Sequence, residues 1–169
     1  SKKWVMVLWL SKADRKNKKD LGKVRFFYSN DLKNWEFLSD FDRSWVYECM
    51  DLVKLSVDGN SQNRKWLIYD ASFDYEVGIF DGKSMITNKS KYLGDLGKNY
   101  YAAQTFNNSP DGRTVIIGWM RAGNSVFVDN NMPFNQQMSF PCTMELKTTP
   151  DGIRLYRWPI KEIESLYHR

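Results

Sequence analysis

The chain has 169 residues, enough for one domain with a sizeable core. Its 42% hydrophobic and 27% charged content with a net charge of +5 describes an ordinary globular chain, and aromatics at 15% are high. The single histidine, His168, is penultimate, which disfavours a Ser-His-Asp site and a His-ligated metal, and no Gly-rich phosphate loop is present.

Trp4-Val5-Met6-Val7-Leu8-Trp9-Leu10 opens the chain as a β-prone run. Its continuous apolarity predicts burial on both faces, and it is too short to span a bilayer. Lys12, Arg15, Lys16, Lys18, Lys19 and Lys23 follow between two apolar runs. They read as a solvated hairpin loop, not a nucleic-acid patch, since nothing else resembles a nucleic-acid module. Strands are expected at 23–29 and 35–38, joined by the turn residues Asn30-Asp31. A long strand is expected from Glu48 to Val57, closed by Asp58-Gly59-Asn60, then others at 65–69, 77–80 and 84–87. Further runs lie at 100–106, 114–120, 138–146 and 153–156, and only 160–167 has a helical look. Cys49 and Cys142 lack metal spacing and are expected as two buried thiols in preference to a disulfide. Trp4, Trp9, Trp35 and Trp66 are expected to pack the sheets.

About eleven strands and almost no helix make an all-β chain, for which a β-sandwich and a propeller are both compatible. A weak repeat favours the propeller. Lys3-Trp4-Val5-Met6, Lys65-Trp66-Leu67-Ile68 and Arg113-Thr114-Val115-Ile116 each follow a polar turn and precede a shorter strand. Groups of four strands at about 50-residue intervals suit propeller blades. The expected division is a single domain, 1–169: about 1–45 as the remainder of one blade, 46–92 as a second, 93–160 as a third, and 161–169 as a tail. The innermost strand of the first blade is expected upstream of Ser1.

One residue stands out chemically. Glu48 sits in the apolar run Val46-Tyr47-Glu48-Cys49-Met50-Asp51-Leu52. A carboxylate there must be paired, hydrogen-bonded or neutral, and a neutral one can donate a proton, as a glycosidase acid does.

Five segments then carry a resemblance. They are Tyr47-Glu48-Cys49-Met50-Asp51-Leu52, Asp95-Leu96-Gly97-Lys98-Asn99-Tyr100-Tyr101-Ala102-Ala103-Gln104-Thr105-Phe106, Gly118-Trp119-Met120, Pro133-Phe134-Asn135-Gln136-Gln137, and Gly152 through Pro159. In this order they resemble glycoside hydrolase family 32, the invertases, inulinases and levanases, and most of all its bacterial exo-acting fructan hydrolases. The resemblance implies an incomplete five-bladed β-propeller of about three blades, normally followed by a β-sandwich. It implies retaining cleavage of β-fructofuranosides such as sucrose, inulin or levan, with no cofactor or metal and no membrane partner. It implies secretion or a periplasmic location.

By the same resemblance Glu48 is the general acid/base. Cys49 lines the sugar pocket, Asp95 and Lys98 shape selectivity beyond the fructosyl subsite, Tyr101 tunes the acid, and Trp119 packs by the sugar. Two departures are visible. Met50 stands where the family commonly has Pro, and neither the Asn-Asp-Pro motif of the nucleophile nor the Arg-Asp-Pro motif occurs in these residues. Asp31, Asp40 and Asp42 lack the flanking residues of either. A retaining site needs its nucleophile about 5–5.5 Å from the acid, so this chain alone is expected to be inactive. A different expectation is a non-catalytic carbohydrate-binding or self-assembling module, with open sheet edges pairing two copies. A relative of families 43 or 68 is disfavoured by Ala-Ala-Gln-Thr-Phe together with Gly-Trp-Met.

Overall fold

The computed structural model describes residues 3–14, 19–121 and 129–167, with side chains given for all of these except 11–14 and 19–21. Thirteen strands and one short 3₁₀ helix, Lys161–Leu166, make up the described elements. The first sheet has the order β1-β2-β3, from Trp4–Asp14, Lys19–Ser29 and Glu36–Phe41. A meander follows: β4 (Asp51–Val57), β5 (Asn60–Tyr69), β6 (Asp74–Phe80) and β7 (Met85–Thr87), with β8 (Tyr92–Leu93) also on β6. The third group is β9 (Tyr100–Thr105), β10 (Val115–Met120), β11 (Gln137–Met138), β12 (Cys142–Thr149) and β13 (Gly152–Pro159). Strands β9, β11 and β12 pair with β10, and β13 pairs with β12.

The last two groups share one strand pairing among the described residues. Val57 of β4 faces Leu146 of β12 in a parallel pairing, and the Asp58 N–H donates to the Leu146 carbonyl at 2.8 Å. The Asp58 carboxylate accepts from the Thr148 N–H at 2.9 Å and its hydroxyl at 2.7 Å. This clasp sits at the β4–β5 turn, where Asp58 (φ 53°) and Gly59 (φ 72°) are both left-handed, a conformation that Asp and Gly tolerate well.

The β4–β7 meander is covered on both faces. On one side Leu67, Tyr69 and Tyr75 join Ile116, Met144 and Leu146 in a core shared with the β9–β13 group. On the other, Ile68 and Met85 join Val24, Phe26 and Phe41 of the first sheet. Three consecutive residues, Leu67-Ile68-Tyr69, are therefore fully buried, because alternate side chains enter different cores. Continuous apolarity was expected to mean this for β1, and there it does not: Trp4, Val5 and Leu8 are exposed. A continuous apolar run is buried on both faces only where something packs on each side, and among the described residues β1 pairs only with β2.

Other expectations shift in detail. Strands β1 and β2 extend into the basic segment, while Arg15, Lys16 and Lys18 lie outside the described residues. The run 138–146 divides into β11 and β12 around Ser139-Phe140-Pro141. The expected strand at 48–57 begins only at Asp51. Trp35 is half-buried, and Trp9 and Trp66 pack against the core beneath the first sheet, as expected of sheet-packing side chains, whereas Trp4, expected to pack likewise, is exposed.

Candidate active site

Glu48 lies in a loop, not at a strand head. The segment 42–50 carries no strand, and Glu48 has φ 45°, a left-handed backbone that a non-glycine residue adopts at a cost of about 1–3 kcal/mol. Such a conformation persists only where its surroundings over-determine it. Here three neighbouring carbonyls are each captured by a different element. Trp9 Nε1 of β1 donates to the Val46 carbonyl at 3.1 Å. The Ala71 N–H, in the β5–β6 turn, donates to the Tyr47 carbonyl at 2.9 Å. Gln104 Nε2 of β9 donates to the Cys49 carbonyl at 2.9 Å. The Trp9 indole also meets the Tyr47 ring edge-on, with centroids 5.3 Å apart.

The base of the loop is held by a buried carboxylate. Glu76 is 1% exposed. It accepts from Arg43 Nε at 2.8 Å and from Trp45 Nε1 at 2.9 Å, and the Thr87 hydroxyl donates to its second oxygen. All three partners are polar groups turned inward, so the burial of this charge is compensated by hydrogen bonds.

Tyr101 meets Glu48 from β9. Its hydroxyl donates to Glu48 Oε2 at 3.1 Å. The strand reaches this position through a bulge. The β9–β10 register slips between Ile117 and Trp119, so that Ala102 and Ala103 together oppose Gly118. Ala102, at φ 49°, is the left-handed residue of the bulge, and its N–H donates to the Ala71 carbonyl at 2.8 Å. Bulges re-aim side chains, and this one leaves Trp119 opposite Tyr101, with ring centroids 6.2 Å apart and 70° between planes. A Cβ on Gly118 would lie 2.5 Å from the Tyr100 ring, so only glycine fits there. Burial, then the hydrogen bond to Glu48, push the Tyr101 phenol up to about 12, while Arg121 over its ring acts the other way. Tyr101 therefore stays protonated at neutral pH and remains a donor to Glu48.

The structure brings Glu48, Tyr101 and Trp119 together, with the Cys49 backbone in the same cluster. The Cys49 side chain is exposed and Cys142 half-buried, both as free thiols, which corrects the expectation of two buried ones. Gln104 reaches the loop through the Cys49 carbonyl. Asp95 and Lys98 are not part of this cluster. Asp95 binds Arg157 Nη2 at 2.5 Å and caps the Gly97 N–H at 2.7 Å, while Lys98 is exposed. Arg157 is itself stacked over Tyr100 and Phe73. A cleft of about 500 Å³ opens there, lined by Asp95, Tyr100, Met138, Phe140 and Arg157 among others.

Two groups escaped the sequence reading. Asp51 accepts from the Thr105 hydroxyl at 2.5 Å and from the Tyr69 hydroxyl at 3.1 Å, tying β4 to β9 and β5 just past the loop. Burial first, then the Asp51 charge, push the Tyr69 phenol far above its ordinary value. Asp70, 2% exposed, accepts from the Ser72 N–H at 3.0 Å and the Asp74 N–H at 3.1 Å. It heads the turn whose Ala71 holds both Tyr47 and Ala102. Burial raises Asp70 to about 6, against the pull of N–H groups from Asp74, Ser72 and Tyr47. Its alternation with apolar neighbours gave no sign of this.

The Asp70 shift has a signed consequence. Between about pH 4 and pH 6 the unfolded chain has released a proton that the folded chain keeps, so this group's contribution to stability falls as pH rises through that window. Asp40 and Asp111, each held near 2, the former first by Arg25 and the latter first by Ser109, act at lower pH. Urea midpoints followed from pH 4 to pH 7 should fall more for the wild type than for Asp70→Asn. Parallel profiles would contradict the assignment.

Residues 1–159 match the profile of the glycosyl hydrolases family 32 N-terminal domain. The chain belongs to this family. It is 32% identical over 183 residues to a levanase of Bacillus sp. (strain L7), an alignment covering 97% of this chain and 19% of that protein. A levanase of Bacillus subtilis (strain 168) is 31% identical, over 98% of this chain and 26% of its own length. The chain thus spans about a fifth to a quarter of these curated relatives. Among solved structures, the Aspergillus awamori exo-inulinase superposes with a TM-score of 0.68 at 24% identity, over 93% of this chain and 36% of that one. Fructan 1-exohydrolase IIa of Cichorium intybus, solved with 1-kestose, superposes with a TM-score of 0.73 at 18% identity, over 98% of this chain and 34% of that one. These likenesses establish the fold as the all-β, incomplete propeller that the sequence suggested.

Proposed function

We propose that this chain is the part of a retaining β-fructofuranosidase that carries the general acid/base, Glu48, acting on sucrose, inulin or levan. The observation that carries the reading is the Glu48–Tyr101 hydrogen bond, formed between a clamped left-handed loop and a strand bulge. Two strained backbone positions converge on one carboxylate, which is a pattern of functional sites. In this reading Glu48 protonates the leaving oxygen and then, as carboxylate, takes a proton from the water that releases the sugar. Tyr101 orients it through a hydroxyl that stays protonated. Trp119 offers an indole face to the apolar C–H side of a fructosyl ring, and Cys49 lines the pocket beside it. Asp95 and Lys98 act farther out, on the Tyr100 side of β9, with Asp95 fixed by Arg157.

The double displacement also needs a nucleophilic carboxylate, and the described aspartates near the first sheet are committed elsewhere. Asp40 pairs with Arg25 and Lys23, Asp42 with Lys23, and Asp31 holds the 29–34 turn. The 169 residues by themselves should therefore bind fructosyl saccharides without turnover. Incubation with sucrose, inulin and levan should release no fructose. Release that disappears on Glu48→Gln would overturn this.

Several relatives are named extracellular exo-inulinases, which supports secretion of this protein as well. A second reading, assembly of two copies, is favoured by one observation: the long strand β1 pairs only with β2 among the described residues and leaves Trp4, Val5 and Leu8 exposed. Light scattering on the chain at rising concentration separates a dimer from a monomer.

A further inference from the structure

Arg121 belongs to none of the family's motifs, yet it stands at the site. It directly follows β10, and its N–H donates to the Asn99 carbonyl at 2.7 Å, which fixes where the side chain starts. Its guanidinium lies over the Tyr101 ring, 4.0 Å from the centroid. Tyr101 thus carries the Glu48 carboxylate at its hydroxyl, the Trp119 indole at its edge and the Arg121 guanidinium at its face. The contact uses the face of the Tyr101 ring. Its N–H fork has no acceptor among the described residues, and the side chain is exposed.

The position has a chemical meaning. In a retaining glycosidase the acid stands beside the oxygen of the leaving group, so open donors flanking the acid face the leaving-group sugar. A guanidinium presents paired donors in a planar fork, which can span two neighbouring oxygens, whereas an ammonium is a point charge. Adjacent hydroxyls on a sugar ring offer that pair of oxygens. We propose that Arg121 binds hydroxyls of the sugar on the leaving-group side of the scissile bond, with Tyr101 as the platform that holds its guanidinium flat. The proposal rests on the reading of Glu48 given above. It makes Arg121 a determinant of preference for substrates whose leaving group is itself a sugar.

The test compares two ligands that share the fructosyl group and differ in what is attached to it. Calorimetric titrations with 1-kestose and with methyl β-fructofuranoside are run on the wild type, Arg121→Ala and Arg121→Lys. Arg121→Ala should weaken 1-kestose by roughly tenfold, the effect of one charge-assisted hydrogen bond, and leave the methyl glycoside unchanged. Arg121→Lys should recover only part of the loss. Since Arg121 is exposed, a merely structural effect would move both ligands together. Equal affinities in wild type and Arg121→Ala, or equal losses for both ligands, overturn the proposal while leaving the Glu48 site standing. A wild type that binds neither saccharide overturns the site and the proposal with it.

Discussion

Replacing Glu76 by alanine lowers the stability of the domain by about 3–5 kcal/mol. The carboxylate is 1% exposed and receives Arg43, Trp45 and Thr87. Removing it leaves the Arg43 guanidinium, mostly buried against the Phe41 ring, without its counter-charge. It also leaves the N–H of the half-buried Trp45 without its acceptor. Replacing Glu76 by glutamine keeps one carbonyl acceptor but loses the charge, and should fall between. The same substitution frees the base of the 42–50 loop, so Glu48 should lose its fixed relation to Tyr101. Urea unfolding of wild type, Glu76→Gln and Glu76→Ala measures the ordering. A loss below about 1 kcal/mol for Glu76→Ala would show that the loop is held by its backbone contacts alone.

The sequence announced the strands well because most of them alternate or run apolar between turn residues. Its motif order pointed to the family, and those motifs contain Glu48, Tyr101 and Trp119, which the structure brings together. What could not be read was the means of assembly. The carbonyl captures by Trp9, Ala71 and Gln104 join residues 37, 24 and 55 positions apart, and no local pattern encodes such pairings. The bulge at Ala102 is written in two alanines that look like ordinary strand residues. Glu48 itself was misplaced onto a strand, because a β-prone run surrounds it and the left-handed turn at φ 45° falls on a residue with no preference for it. Asp95 was singled out by resemblance, and nothing local to it announces Arg157, 62 positions later, which holds its carboxylate on the Tyr100 side.

The Glu48 assignment has the largest expected effect on rate. General acid catalysis contributes about 10²–10⁴-fold, and it matters only where the leaving group needs a proton. From sucrose, glucose leaves through its anomeric oxygen and needs a proton, whereas from β-fructofuranosyl fluoride the leaving group departs as fluoride ion and needs none. The most direct measurement is therefore the hydrolysis of both substrates by the full natural polypeptide that contains these residues, wild type against Glu48→Gln. Our account predicts a loss of about 10²–10⁴-fold on sucrose and a much smaller loss in the first, glycosylating step on the fluoride. Equal losses on the two substrates, or full activity of Glu48→Gln on sucrose, would contradict it.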